Sequence, residues 1–461
     1  MQPRINLSLF ILCGLLLAHI GYAQQPLPAF KPLRYNEDYS YLAKDTARTS
    51  YENMKFIPLG KQQYQYLSIG GEARLQYFHA KNEEWGDVPA DNDGYILSRF
   101  LLHGDFHFGS RFRTFVQLQS SLSGSRIEPS PVDENPLDLH QAFVDVVALQ
   151  QEETQLTLRL GRQEMSYGSQ RLVSVRENPN NRQSFDGVKV MLNRNNTSID
   201  AFYSHYVAVK KQIMDDGFDK NTRFWGVYGT QTNLPVLGNL DLYYLGFSKK
   251  KAVYNALTGD EERHSIGSRI WGGYGSWTYD LEGLYQFGQL DALDIQAWTA
   301  SLNTTYQFVD ARFQPELGLK TELISGDKGT GKTLGTFNPM FPKGAYFGLA
   351  AVIGPSNLVD LHPSVNFSLS KKLDLTLDYD IFWRMEEQDG IYAVNMSPIY
   401  GDGNTNEMHI GNQLTSALLF SPNRFINIRG EWTWFQAGDY LKAVSAGKDF
   451  FFSGLTLQLK I

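Results

Sequence analysis

Phe450-Phe451-Phe452-Ser453-Gly454-Leu455-Thr456-Leu457-Gln458-Leu459-Lys460-Ile461 is the last stretch of the chain, and it alternates to its final residue. Successive side chains of a strand point to opposite faces. Phe451, Ser453, Leu455, Leu457, Leu459 and Ile461 are therefore expected to face lipid, with Phe450, Phe452, Gly454, Thr456, Gln458 and Lys460 facing inward. A strand that meets oil on one side and water on the other is stable in a membrane only if every backbone group is paired around a closed wall.

The same alternation runs back to Tyr66 in about eighteen segments, beginning with 66–78, 95–108, 111–121, 138–149, 155–163 and 185–193. The connections alternate in length. Long ones fall at 79–94, 122–137, 164–184, 208–221, 248–261, 324–360, 386–407 and 437–448. Short ones fall at 109–110, 150–154, 193–196, Gly275, 309–310, 370–372 and 421–424; a medium turn at 232–239 and a brief loop at 289–293 depart from the rule. This pattern predicts an all-β fold, a transmembrane antiparallel up-and-down barrel with short periplasmic turns and long extracellular loops. Sixteen strands is the alternative count.

Met1 to Ala23 has one positive charge, at Arg4, an apolar run from Leu7 to Ile20, and small residues at Gly21 and Ala23. It reads as a secretory signal peptide, which sends the chain to the outer membrane of a Gram-negative cell. Cys13, the only cysteine, lies within it, leaving the mature chain without a thiol. Residues 24–65, with Pro26, Pro28 and Pro32, read as a separate periplasmic segment with a short helix over 43–57. The barrel takes 66–461, and no second domain is expected. Mean hydropathy is −0.33, as expected where half of each strand faces water. The 25 Tyr, 29 Phe and 8 Trp suit girdles at the two membrane interfaces. A formal charge of −7 offers no basic field for nucleic acid.

Parity places Glu72 with Arg74, Arg99, Arg159, Arg384, and Arg429 with Glu431 on the inner face, in a lining of mixed sign. The densest polar constellation is the loop that leaves a strand at Arg162-Gln163 and returns at Phe185-Asp186-Gly187, carrying Arg171, Arg176 and Arg182 between. An infolded constriction in which planar guanidinium forks grip a passing carboxylate is one reading. A surface loop held by Glu164, Glu177 and Asp186 is the other. Strict alternation aims Arg162 at lipid, so either a bulge at Gly161 or a place above the bilayer is required. Arg74, Arg99, Arg162, Gln163, Arg171, Arg182, Asp186, Arg384 and Arg429 are the candidate pore-lining residues.

Several of these residues carry a resemblance. Arg159-Leu160-Gly161-Arg162-Gln163, Tyr167-Gly168, Arg171-Leu172 and Arg182 through Val188 resemble the signature of the alginate-export outer-membrane channels. The likeness extends to Arg34 through Leu42, Leu67 through Arg74, Thr336 through Pro342 and Gly411 through Leu414. It implies an eighteen-stranded barrel with a basic lumen that passes an anionic uronate polysaccharide or oligosaccharide, with outer-membrane lipid and periplasmic export machinery as partners. A general or nutrient-uptake porin on the same barrel is the alternative.

Gly326 to Thr333 matches the phosphate-loop pattern GxxxxGK[ST], but Asn338-Pro339 and Pro342 follow where a helix would have to cradle the phosphates. Neither His103, Asp105 and His107 on one face nor the Asp215-Asp216 and Asp219 loop makes a convincing metal set. No catalytic constellation is visible, so a channel that is not an enzyme and carries no cofactor is the expectation.

Overall fold

The computed structural model describes residues 28–461 apart from 62, 63, 90–92 and 256. The leader expected over 1–23, with Arg4 and Cys13, lies outside the described residues. Eighteen long antiparallel strands form the wall. They are β1 (Gln65–Lys81), β2 (Tyr95–Phe108), β3 (Phe112–Gly124), β4 (Asn135–Gln151), β5 (Thr154–Gln163) and β6 (Phe185–Arg194). Next come β7 (Thr197–Ala208), β8 (Gly217–Leu234), β9 (Gly238–Tyr254), β10 (Leu257–Tyr274), β11 (Trp277–Leu290) and β12 (Leu293–Gln307). The last six are β13 (Glu316–Ile324), β14 (Leu358–Ser370), β15 (Leu373–Trp383), β16 (His409–Asn423), β17 (Ile426–Ala437) and β18 (Phe450–Lys460). Each strand pairs with its sequence neighbours, and β18 pairs with β1 from Glu72 opposite Lys460 to Lys81 opposite Phe451, so the wall is closed. Closure leaves no unpaired edge in the hydrocarbon, which is what makes the polar backbone tolerable there.

The pleat sorts the side chains as the alternation requires. Leu158, Leu160, Val188, Val190, Leu242, Ile266 and Leu455 are exposed on the outside, while Arg99, Arg263, Gln286, Glu322, Asp360 and Glu431 are wholly buried inside. This is the reverse of a water-soluble protein. Phe108, Phe112, Tyr274, Trp277, Tyr306 and Phe308 crowd the rim of short turns, and Trp298, Trp432, Trp434 and Phe451 lie outside near the opposite rim. The two aromatic belts mark the membrane interfaces.

One expected long loop, 248–261, is a hairpin, and the brief loop expected at 289–293 is a tight hairpin as well. The β9–β10 ladder continues to Tyr254 opposite Leu257, and β11–β12 continues to Leu290 opposite Leu293. The Lys249-Lys250-Lys251 run reads as loop in the sequence, yet above the bilayer a strand can be polar on its outward side while Ala252 and Tyr254 are buried on the other. In the other direction, the 309–310 turn widens to the stretch between Gln307 and Glu316. The phosphate-loop look-alike makes only the two-residue strand Thr333–Leu334, parallel to β12, and no helix follows.

The N-terminal segment departs most from expectation, because it is not separate from the barrel. Arg34 donates to the carbonyls of Gly71 (3.1 Å) and Ile461 (2.7 Å), clasping the seam where β1 meets the chain end. Tyr35 inserts edge-on against Phe115 and Phe143, its hydroxyl donates to the Glu164 carbonyl (2.9 Å), and its own carbonyl accepts from Arg113. Instead of one helix over 43–57 there is a 3-10 turn, Ser40–Lys44, and one α-helix, α1 (Ser50–Lys55). A capping box between Thr49 and Glu52 starts α1.

Candidate functional site

The loop between β5 and β6, residues 164–184, turns into the lumen and crosses it. At one end Arg74 and Arg99 reach from β1 and β2 to its backbone: Arg74 donates to the carbonyls of Glu177 (2.7 Å) and Pro179 (2.8 Å), and Arg99 to the same two (2.8 and 3.0 Å). Asn180 Nδ2 reaches the carbonyls of Ser98, Leu122 and Asp133. At the other end Arg171 contacts the far wall, with Glu282 at 3.1 Å on β11, Thr299 at 3.0 Å on β12 and Glu322 at 2.9 Å on β13. A second loop meets the first in the middle. Phe341 N donates to Leu172 O, Ser174 N to Phe341 O and Lys343 N to Gln170 O. Phe341 packs among Phe185, Tyr206, Phe224 and Phe247, so the crossing has an apolar core of its own.

The charges of the crossing form a ladder. Arg99 pairs with Glu72 (2.6 Å) and with Glu177 (3.0 Å). Arg182 pairs with the other Glu177 oxygen (3.0 Å) and with Glu164 (2.7 Å), and it donates to the Pro32 carbonyl of the N-terminal segment (3.1 Å). Glu177 is the member of this group that faces water, with 36 % of its side chain exposed against 2 % or less for Arg99 and Arg182. Gln458 from β18 donates to Glu177 as well (3.1 Å). Arg429 is 42 % exposed and pairs with buried Glu431 (2.6 Å), so it too borders open lumen. Burial and neighbouring Lys320 push the Lys343 ammonium down to about 8.

The candidate residues therefore divide. Arg74, Arg99, Arg171, Arg182 and Arg429 lie on the inner side of the wall or in the crossing loop. Gln163 is inward and buried, its amide oxygen without a hydrogen-bond partner. Arg162 and Asp186 are on the opposite side. They face each other across β5 and β6 on the outer surface, joined at 2.8 Å and covered by residues around Asp216. No bulge intervenes at Gly161: the register runs through it, and a Cβ there would collide with the Ala142 carbonyl. Arg384 also leaves the list of pore residues. It lies beyond the end of β15, wholly buried, and donates to the carbonyls of Glu387, Asp389, Asp402, Thr405 and Glu407 under the ring of Tyr440. It bolts the extracellular loops together.

Two residues of the crossing loop were named from the sequence but left off the list of pore-lining candidates. Glu177 was read only as a counter-ion for a surface loop. Arg176 is buried, in left-handed backbone, with its Nε unpartnered, and no carboxylate pairs with it among the described residues. Nothing in the local sequence separates it from Arg171 or Arg182. Asp105 is gripped by Arg113 (2.7 and 2.8 Å), and His107 stacks on Tyr66, so those groups are engaged with protein partners.

Solved structures with this architecture include proteins of Pseudomonas aeruginosa, among them the outer membrane protein OpdK. OccD3 (OpdP) is 12 % identical, with a TM-score of 0.58 over 94 % of this chain and 99 % of its own. OccK2 (OpdF), solved in complex with glucuronate, is 12 % identical with a TM-score of 0.57 over 86 % and 98 %. OpdK, solved with vanillate, is 10 % identical with a TM-score of 0.56 over 86 % and 98 %. No curated protein matches the sequence. A closed eighteen-stranded barrel with a loop-crossed lumen is an outer-membrane channel, and residues 65–448 match the alginate export family model, so the chain belongs to the alginate export family.

Proposed function

We propose that this channel passes an anionic, uronate-type polysaccharide or oligosaccharide through a constriction read by Arg74, Arg99 and Arg182. Glu177 acts there as a built-in stand-in for the passing carboxylate. One observation carries this: the Glu177 carboxylate bridges Arg99 and Arg182 at 3.0 Å each while facing open lumen. Stripping a partner from a buried guanidinium costs several kcal/mol, about 3 to 5. Exchanging one carboxylate for another does not, because the forks stay filled throughout. A uronate residue presents that same carboxylate, and Arg176 adds a cation that no carboxylate pairs with among the described residues. The glucuronate bound by OccK2 is a uronate, which supports the same ligand class. The protein acts as a conduit and performs no chemistry on its cargo. Its N-terminal segment, touching Arg182 through Pro32, is where periplasmic export machinery would act.

A nutrient-uptake porin for small acids is the second reading. The mixed-sign lumen and the vanillate of OpdK favour it. Bilayer recordings separate the two. The wild-type channel is expected to prefer anions in a salt gradient and to be blocked by oligouronates. Glu177→Gln, which removes the competing carboxylate, is expected to tighten block by roughly tenfold, equivalent to about 1.4 kcal/mol. Cation preference, or oligouronate block unchanged in Glu177→Gln, would overturn the proposal. Passage of the monomer with exclusion of oligomers would favour the uptake porin.

A further inference from the structure

Asp360 and His362 lie two apart on β14 and so share a face. Asp360 is opposite Phe382 and Leu361 opposite Ile381, which sets Asp380 of β15 beside His362. One ligand atom from each of the three comes within 4.8 Å of the others. Asp360 is 0 % exposed and Asp380 1 %. Both Asp360 carboxylate oxygens have no hydrogen-bond partner, while His362 Nδ1 and Asp380 Oδ1 face each other at 2.8 Å. An unpaired carboxylate such as that of Asp360 does not persist in a buried place without a compensating cation or proton.

The remaining atoms of these groups are held from behind. His362 Nε2 meets Asp378 Oδ1 at 3.2 Å, and Gln413 Nε2 donates to Asp380 Oδ2 at 3.1 Å. A carboxylate behind an imidazole, with the other ring nitrogen turned towards carboxylate oxygens, is the supporting arrangement that orients metal-binding histidines. Lys320, opposite His362, is the cation that would otherwise serve. Its ammonium lies 3.5 Å from Glu322 and over the rings of Tyr346 and Phe347.

We propose that Asp360, His362 and Asp380 bind a divalent transition-metal ion of the Zn2+ type, with the Asp360 carboxylate, His362 Nδ1 and Asp380 Oδ1 as ligands, the ion replacing the proton between the last two, and Asp378 and Gln413 as positioning residues. Two carboxylates neutralise the ion's charge, and one imidazole with two oxygens leaves the fourth tetrahedral position to water. Ca2+ is disfavoured, since it needs about six to eight oxygens. The ion would tie β14 to β15 beneath the second inner loop, whose Phe347 carbonyl accepts from Gln413 at 2.6 Å.

The test uses the full chain, without a histidine tag, stripped with chelator in detergent and dialysed against Zn2+. Elemental analysis should find about one Zn2+ per chain above the level kept by Asp360→Asn. Zn2+ but not Ca2+ should raise the thermal unfolding midpoint of the wild type. Asp378→Asn should weaken Zn2+ binding about tenfold to a hundredfold while leaving the site loadable. The metal-free unfolding midpoint of Asp360→Asn should equal or exceed that of the wild type, because the variant removes a buried unpaired carboxylate, so loss of Zn2+ cannot be ascribed to misfolding. If wild type and Asp360→Asn retain equal Zn2+ and neither midpoint moves, Asp360 is held by a proton and the metal site is refuted.

Discussion

Replacing Arg99 by Met removes five hydrogen bonds: two to Glu72 (3.0 and 2.6 Å), one each to the carbonyls of Glu177 (2.8 Å) and Pro179 (3.0 Å), and one to the Glu177 carboxylate (3.0 Å). Methionine fills much of the same volume, so the loss is electrostatic and not a cavity. Breaking a buried ion pair by deleting one partner costs about 3 to 5 kcal/mol, because the other charge stays buried. Three of the five bonds run to the crossing loop. If half the cost falls on loop docking, about 1.5 to 2.5 kcal/mol, the loop equilibrium shifts by roughly ten- to seventyfold towards release. Arg74 keeps its bonds to the Glu177 and Pro179 carbonyls, so the loop is loosened and not freed. Single-channel recording should show more frequent and longer high-conductance events, and urea unfolding in detergent a lower midpoint. The double variant Arg99→Met, Glu72→Leu removes both charges and should recover most of the stability but not the loop contacts. Unchanged conductance and midpoint in the single variant, or a double variant less stable than the single one, would refute the assignment of this pair as the anchor of the crossing.

Two further outcomes are expected. Leu457→Arg puts a charge on the lipid face and should cost about 2 to 4 kcal/mol near the midplane. Gln458→Arg, one residue on, gains Glu177 as a partner and should be close to neutral in the same refolding titration. The third concerns pH. Burial, and next Arg34, push the Lys55 ammonium of α1 down to about 7, between the rings of Tyr39 and Tyr51, with Glu37, Asp105 and His103 nearby. The undocked side chain titrates near 10.4, so between about pH 7 and pH 10 the undocked segment binds the extra proton, and docking strengthens as pH rises through that window. Hydrogen exchange across residues 34–58 should slow between pH 7 and pH 9, after correction for intrinsic rates, and Lys55→Met should abolish the difference.

The wall was legible because its signal is periodic and repeated. Leu455, Leu457 and Leu459 alternate with Thr456, Gln458 and Lys460, and the same rule holds across the other strands, so an error at one turn does not propagate. What the alternation could not report is where the membrane stops. Lys249-Lys250-Lys251 looked like loop because polarity outside the bilayer no longer distinguishes a strand. Arg162 raised a conflict with lipid for the same reason, and rim height with Asp186 as its partner resolved it.

Parity also names a face without naming a height or a partner, and this decided which arginines were placed well. Arg99 and Arg384 share an inward direction, but one meets a loop in mid-lumen and the other the carbonyls of the outer loops. The N-terminal segment shows the same limit more sharply. Arg34 and Ile461 are 427 residues apart in sequence and 2.7 Å apart in space, a contact that no periodicity encodes. Yet that contact puts Pro32 against Arg182 and Tyr35 against Glu164, and so joins the chain's first described residues to the loop that carries Glu177. The segment thus bonds to Arg182 and Glu164, which pair with each other, and Arg182 in turn holds Glu177, so the seam of the barrel and the near end of the crossing are built from one continuous set of contacts.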